Sequence, residues 1–178
     1  MSAAAHEGEG SSSSARVWRV GADIDTDVLA PGAYMKHGIE VIAQHCLQAV
    51  RPDFATGVQT GDVLAAGANF GIGSSREQAA GALRHLGVAA VIAPSFSGLF
   101  FRNAFNLGLL LLTCPHAAEL QEGERVQLLL PPDGPCVRTA NGQSLDCAPI
   151  PGFLMDMVQA GGLLALLKQR NRSATHGV

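Results

Sequence analysis

Two short apolar runs on either side of a helical segment constrain the fold of this chain more than any other feature. The first run spans residues 63–65 within GDVLAAG, and the second is the nearly continuous Val, Ile and Ala stretch at residues 88–93. An apolar run without alternation indicates a strand covered on both faces, as in a parallel sheet. Between the runs, apolar residues recur with helical spacing up to about His85. The pattern predicts a βαβ unit with parallel strands and a right-handed crossover, and therefore an α/β fold.

The segments outside this unit continue the alternation of strands and helices. A strand is predicted at residues 15–20 and a helix at residues 39–50. A further helix follows residue 97, and the closing segment at residues 151–170 is predicted to be helical with a break at its paired glycines. LLLLTC, RVQLLLP and PCVRTA are predicted to form further strands.

The length of 178 residues and the 47% share of hydrophobic residues fit one domain with a sizeable core. We place the folded domain at residues 15–170. Residues 1–14 are dominated by Ser, Ala, Gly and Glu, which cannot bury enough surface to offset the entropy of ordering, so a disordered tail is predicted there. Residues 171–178 are predicted to form a disordered C-terminal tail.

Composition argues against several classes of partner. The formal net charge is −3, from 12 Lys and Arg against 15 Asp and Glu, and the basic residues do not cluster, so nucleic acid is not an expected partner. The longest strongly apolar stretch, residues 107–114, is far shorter than the roughly 20 residues that span a bilayer, so no membrane segment is predicted. The N-terminal residues lack the pattern of a secretory signal, and the cytoplasm is the expected location.

The cysteines are widely separated, and none forms a CxxC pair. This spacing predicts neither a metal site on this chain nor a disulfide framework. We expect Cys46, Cys114, Cys136 and Cys147 to be reduced, mostly structural thiols.

The segment NFGIGSSRE, residues 69–77, joins the first strand of the βαβ unit to its helix. Ser74 and Glu77 fit the S-x-x-E capping box, in which the serine hydroxyl and the glutamate carboxylate satisfy free amides at the start of a helix. This interpretation needs no ligand.

A second interpretation of the same segment is an anion pocket. Gly71 and Gly73 let the backbone turn tightly and leave space beside it. Free amides at a helix start attract a carboxylate or phosphate, and the Arg76 guanidinium can bind a carboxylate through two hydrogen bonds. Capping and anion binding are compatible, so both stay open.

An acidic loop, DIDTDVLAPGAYMKHG, follows the first predicted strand. Asp23 and Asp25 fit ordinary turn or capping residues as well as functional ones. Arg102 and Asn103, in FFRNAFN, are expected either to serve packing or to face the serine-bearing helix.

Three motifs together resemble a known family. NFGIGSSREQAAGALRHLGVAAVIAPSFSGLFFRNAFNLGLLLL closely resembles the core of the 3-isopropylmalate dehydratase small subunit, the swivel domain of the aconitase superfamily. GADIDTDVLAPGAYM is similar to the family's Asp-rich loop, and PGFLMDMVQAGGLLALLKQ is similar to its closing helix. The resemblance covers roughly residues 16–170 and implies an aconitase-type swivelling β/β/α domain, with a mixed sheet flanked by helices.

The resemblance also implies a reaction. Members of this family are hydro-lyases that dehydrate and rehydrate hydroxy acids, which needs a Lewis acid for the leaving hydroxide and a base for the adjacent proton. A four-iron four-sulfur cluster carried by a separate large subunit is implied, so this chain would be active only with that partner. Ser74 matches the serine that acts as base, Ser75 and Arg76 match groups that bind the substrate carboxylate, and Asp27 matches an aspartate facing the active site.

The sequence departs from its relatives at positions that bear on the substrate. Lys36 stands roughly where relatives carry an arginine that contacts the substrate, and His37 beside it could assist; lysine is a point charge rather than a planar fork. Relatives commonly have Cys in place of Ile72 and His in place of Gln78. The first expected substrate pair is 3-isopropylmalate and 2-isopropylmalate. Homoaconitate, citraconate or methylmalate, dimethylmalate and a specialised-metabolism analogue are alternatives.

Two other functions compete with this one. A non-catalytic swivel domain that only binds an acid or a partner is disfavoured because Ser74, Ser75 and Arg76 are intact. A self-sufficient α/β hydrolase is disfavoured because GIGSS lacks the G-x-S-x-G elbow.

Overall fold

The strands form one mixed sheet flanked by helices. The computed structural model describes residues 14–131 and 134–175. Its strands are β1 (Ala15–Arg19), β2 (Val63–Ala65), β3 (Ala90–Ala93), β4 (Leu110–Thr113), β5 (Arg125–Leu129), β6 (Cys136–Thr139) and β7 (Ser144–Asp146). Its helices are α1 (Thr26–Leu29), α2 (Ile39–Gln44), α3 (Phe54–Gly57), α4 (Glu77–His85), α5 (Gly98–Asn106), α6 (Gly152–Ala160) and α7 (Leu163–Thr175). Single turns of 3-10 helix lie at Gly32–Tyr34 and Ala117–Glu119.

The sheet has the strand order β4-β3-β2-β1-β5-β6-β7. Strands β1 to β4 pair in parallel, and β5, β6 and β7 extend the sheet from β1 in antiparallel fashion. Val63 is the register partner of Ala90 in the β2–β3 pair, which confirms the predicted parallel strands with α4 between them. The predicted α/β class with a mixed sheet flanked by helices is confirmed.

Burial differs between the two halves of the sheet. Every residue of β3 is buried, because helices and loops cover both faces of the parallel half. The antiparallel strand β7 alternates between exposed and buried residues, as a strand with one solvated face does. Phe54, Phe70, Phe100 and Phe105 are among the fully buried side chains of the core.

A buried carboxylate ties β1 to the start of β2. Asp62 Oδ2 accepts hydrogen bonds from Arg16 Nη2 at 2.8 Å and from Trp18 Nε1 at 2.9 Å. The Gln59 amide is a further donor, at 2.9 Å. Burial raises the pKa of Asp62, but the hydrogen bonds, above all those from Arg16, outweigh it and the net shift is downward. Asp62 is therefore charged at neutral pH and is paired where it is buried.

Some boundaries differ from those predicted. The helix predicted at residues 39–50 ends at Gln44. Leu47 has a φ of +61° and donates its amide to Val28 O at 2.9 Å, so it cannot continue a right-handed helix. Strand β7 is absent from the prediction. The closing segment does break at Gly161, which has a left-handed conformation.

The final helix, α7, runs to Thr175, so residues 171–175 are helical where a disordered tail is predicted. Residues 1–13 and 176–178, which belong to the predicted tails, lie outside the described residues. Within residues 14–131 and 134–175, no helix is both long and apolar enough to cross a bilayer.

Candidate active site

The loops that follow β1 and β2 run side by side at one edge of the sheet. Because these strands are parallel neighbours, both loops leave the sheet at the same end. Backbone hydrogen bonds continue the pairing beyond the strands, among them one from the Thr26 amide to Ile72 O at 2.8 Å. The first part of the acidic loop (residues 23–27) is thereby held against the serine segment (residues 69–76).

Gly71 and Gly73 give the serine segment room for neighbouring side chains. Both have positive φ, +81° and +109°. A Cβ on Gly71 would lie 2.2 Å from Phe100 Cγ, and a Cβ on Gly73 would lie 3.0 Å from Thr26 Oγ1. Phe100 and Thr26 thus fill the space beside these two glycines, where a ligand is expected from the sequence.

Ser74 does not cap helix α4. The helix begins at Glu77, its N-cap residue is Arg76, and no side chain caps it. The Ser74 amide instead donates to Thr26 Oγ1 at 3.1 Å, and the two hydroxyl oxygens lie 3.1 Å apart. The predicted capping box is wrong, because the Thr26 hydroxyl bonds the Ser74 hydroxyl and amide in place of the Glu77 amide and carboxylate.

The two serines of the serine segment are exposed, and α5 contacts the segment from a second side. Ser74 and Ser75 both lie at the surface. Asn103 Nδ2 donates to Ser75 O at 3.1 Å. Asn103 therefore faces the serine segment, which was one of the two alternatives that the sequence left open, while Arg102 is exposed.

Asp27 holds the Arg76 side chain beside the serines. Arg76 Nη1 donates to Asp27 Oδ1 at 2.7 Å and to Ala30 O at 3.0 Å. The Gly32 amide donates to the same carboxylate oxygen at 2.9 Å. Arg76 Nε and Nη2 have no hydrogen-bond acceptor among the described residues, and the side chain is 29% exposed. The guanidinium therefore keeps donors with which it can bind a carboxylate.

The charge of Asp27 is stabilised by the same contacts. The hydrogen bond from Arg76, followed by that from the Gly32 amide, lowers the pKa of Asp27 below its ordinary value of 3.8. Asp27 is therefore an ionised acceptor at neutral pH. Its side chain is 66% exposed, so solvent screening limits the pair to about 0–1 kcal/mol of stability. The pair orients the guanidinium more than it stabilises the fold.

Lys36 and His37 lie on the turn that follows the 3-10 helix, and both are exposed. Within the described part of the chain, neither side chain makes a hydrogen bond or an ion pair. The structure thus pairs Asp27 directly with Arg76 and bonds Ser74, two residues before Arg76, to Thr26, the neighbour of Asp27. Lys36 and His37 lie on a separate turn.

That turn is anchored at Tyr34. The Tyr34 ring stacks on the His45 ring, with centroids 3.6 Å apart and planes 1° apart. His45 Nδ1 lies 2.6 Å from Gln48 Oε1, so the imidazole is itself held. Sequence reasoning missed this stack because its two rings belong to separate elements.

Sequence reasoning also missed Thr26. Its side chain is 2% exposed, although it lies between two aspartates in an apparently polar loop. The sequence signal that could have found Thr26 is its position directly after Asp25, which makes it the first residue of α1. Asp25 caps this helix by accepting from the Val28 amide at 2.8 Å. This contact confirms the capping alternative for Asp25. Asp23 accepts from Asn69 Nδ2 at 2.9 Å.

The arrangement combines an exposed hydroxyl with a guanidinium that has free donors, which suits the binding of a carboxylate and a proton transfer next to it. Across residues 14–131 and 134–175, no group of three or more His, Cys, Asp or Glu side chains could hold a metal ion. The four cysteines are free thiols.

Known proteins resemble this chain in sequence and fold. The model of the aconitase C-terminal domain matches residues 49–117. 3-Isopropylmalate dehydratase small subunit 1 of Methanopyrus kandleri is 40% identical over 164 residues, which cover 91% of this chain and 96% of that protein. The small subunit of Heliobacterium modesticaldum is 41% identical over 157 residues, 87% and 94% of the two chains. A crystal structure of 3-isopropylmalate dehydratase from Methanocaldococcus jannaschii matches with a TM-score of 0.84 at 35% identity, covering 91% of this chain and 96% of that chain. The chain therefore belongs to the family of 3-isopropylmalate dehydratase small subunits.

Proposed function

We propose that this chain is the small subunit of a heteromeric hydro-lyase that interconverts 3-isopropylmalate and 2-isopropylmalate by dehydration and rehydration. The observation that carries the proposal is the exposed Ser74 hydroxyl, which is bonded to Thr26. The same segment carries the Arg76 guanidinium, which has free donors. Relatives named 3-isopropylmalate dehydratase small subunit match almost the whole chain, which supports this reaction and substrate.

In this proposal the residues of the serine segment divide the work. Arg76 binds a substrate carboxylate through Nε and Nη2, and the Ser75 hydroxyl adds a further hydrogen bond. Ser74, as an alkoxide, takes the proton from the carbon next to the departing hydroxyl. Asp27 stays ionised and keeps the guanidinium in place through the 2.7 Å bond.

A large subunit completes the site. The name small subunit, which the relatives carry, supports such a partner. The departing hydroxide needs a Lewis acid, and we propose that a four-iron four-sulfur cluster on the large subunit supplies it. We propose that the ligands of the cluster lie on the large subunit, as the resemblance to this family implies. We expect the chain alone to be inactive.

The turn that carries Lys36 and His37 is proposed to contact the side group of the substrate. The turn is exposed, and the 3-10 helix directly before it contacts Asp27 through the Gly32 amide. Homoaconitate, citraconate and dimethylmalate would differ from isopropylmalate at this side group. The names of the relatives favour isopropylmalate over these acids, and they also favour a working subunit over a domain that only binds.

The test is coexpression with the cognate large subunit, followed by anaerobic reconstitution. Absorbance of the unsaturated acid is then followed over isopropylmalate and a panel of other malate derivatives. We expect turnover of isopropylmalate by the complex, none by the chain alone, and none by the Ser74→Ala complex. Ser144→Ala, at an exposed serine on β7, is the matched control and should retain activity. A reconstituted wild-type complex that acts on none of these acids would contradict the proposal.

A further inference from the structure

The buried hydroxyl of Thr26 is bonded to Ser74, which lies 48 residues further along the chain. Thr26 begins helix α1, and its side chain is 2% exposed. Its Oγ1 accepts from the Ser74 amide at 3.1 Å and lies 3.1 Å from Ser74 Oγ. Gly73 allows this approach, since a Cβ there would lie 3.0 Å from Thr26 Oγ1. The two loops are shaped to bring these hydroxyls together.

The donors and acceptors of the two hydroxyls determine what this contact can do. A threonine hydroxyl has one hydrogen to donate and two lone pairs. One lone pair of Thr26 accepts from the Ser74 amide, so the hydrogen remains available to Ser74 Oγ. Between two neutral hydroxyls either oxygen could be the donor. Once Ser74 has lost its proton, only Thr26 can donate across the 3.1 Å contact.

The contact is therefore stronger when Ser74 is ionised. A hydrogen bond to a charged oxygen is roughly twice as strong as one between neutral groups. Thr26 is buried and already fixed by its backbone bond to Ile72 O, so its hydroxyl needs little rearrangement when the charge forms. The exposed side of Ser74 stays free for a substrate.

We propose that Thr26 is a positioning residue that orients the Ser74 hydroxyl and stabilises its ionised form. The inference rests on the proposed function, in which Ser74 is the base. Ionisation releases the Ser74 proton to solvent. Ser74 Oγ then forms an O–H bond as the substrate C–H bond breaks, the C–H electron pair becomes the second bond of the alkene, and the neighbouring C–O bond breaks with loss of hydroxide.

The first test needs the full chain alone. Amide hydrogen exchange is measured by NMR at Ser74 and at Ser75, whose amide has no backbone or side-chain acceptor within the part of the chain that the structure describes. We expect the Ser74 amide to exchange at least about tenfold more slowly than that of Ser75. Thr26→Val should remove this difference, and Thr26→Ser should preserve it. Equal exchange in the wild-type chain would overturn the inference without the partner or turnover being involved.

The second test uses the reconstituted complex and the pH dependence of kcat. Thr26→Val keeps the shape of the side chain but loses the hydroxyl, so kcat should fall on the order of 100-fold with little change in KM. Because the ionised form of Ser74 loses a donor, the acid limb of the kcat profile should move to higher pH. Thr26→Ser should restore both kcat and the profile.

The outcomes separate this inference from the proposed function. A wild-type complex without turnover defeats both. If the wild-type complex is active, the Ser74→Ala complex is inactive and the Thr26→Val complex is unimpaired, the role of Thr26 is overturned while the proposed function stands. Equal loss of kcat in Thr26→Val and Thr26→Ser, with an unshifted pH profile, also overturns it, because that result indicates packing alone. Thermal unfolding of each variant checks that the fold is kept.

Discussion

Replacing Gly71 with alanine tests how tightly the serine segment is built. Gly71 has a φ of +81°, and an added Cβ would lie 2.2 Å from Phe100 Cγ and 2.4 Å from Phe100 Cβ. These atoms lie at the base of the ring and cannot swing away. Phe100 is 1% exposed and packs edge-on against Phe70, with centroids 5.2 Å apart. The methyl group must therefore displace the backbone of one segment or the other.

The cost has two parts. An L-residue in the left-handed region costs about 1–2 kcal/mol. Forcing a methyl group into a packed core costs a further 1–3 kcal/mol or so. We therefore expect Gly71→Ala to lower the free energy of unfolding by about 2–5 kcal/mol. Because Ile72 O is bonded to the Thr26 amide, the displacement should also reach Ser74 and lower the activity of the complex.

Equilibrium unfolding in urea measures the first effect, with Gly123→Ala as the matched control. Gly123 has a similar φ, +77°, but nothing lies within 4 Å of its added Cβ. The control should show the conformational cost alone, about 1–2 kcal/mol. If Gly71→Ala is no more destabilising than Gly123→Ala, the claim that Phe100 fills this space is refuted.

Three further substitutions test other contacts. Arg76→Lys should lower kcat/KM of the complex about 10- to 100-fold, because the variant loses a charged hydrogen bond to the substrate of roughly 1.5–3 kcal/mol. Steady-state kinetics measure this, and an unchanged kcat/KM would remove Arg76 from substrate binding. Asp62→Asn should lower the free energy of unfolding by about 1.5–3 kcal/mol near neutral pH. Because the folded-state pKa of Asp62 is depressed, the stabilisation from its charge is present above the ordinary pKa of 3.8 and is lost as the pH falls through the folded-state pKa. Urea unfolding should therefore give the variant and the wild type similar free energies of unfolding in acid. A difference that stays constant with pH would argue against a role for the charge. Lys36→Arg should change the ranking of substrates in the malate panel, and an identical ranking would show that this turn does not select the substrate.

Sequence patterns were sufficient for the parallel half of the fold. The uninterrupted apolar runs predict buried strands, and β2 and β3 pair as expected because α4 lies between them. The antiparallel half was harder to predict. Strand β7 is short and mostly exposed, so it carries too few apolar residues to form a recognisable pattern. The end of α2 was also missed, because Leu47 leaves the helix to bond Val28, a contact that no local preference contains.

The sequence by itself determined the α/β class, the βαβ unit and the two polar segments that carry the candidate residues, since each depends on the spacing of apolar side chains and glycines along a short stretch of chain. Only the tertiary structure decided which hydrogen bonds Ser74 makes. A capping bond to Glu77 and a bond to Thr26 are both available to a serine hydroxyl and amide. The parallel pairing of β1 with β2 brings the acidic loop next to the serine segment, so that the Ser74 amide lies 3.1 Å from Thr26 Oγ1. In this register Ser74 bonds Thr26, and Asp27 bonds Arg76.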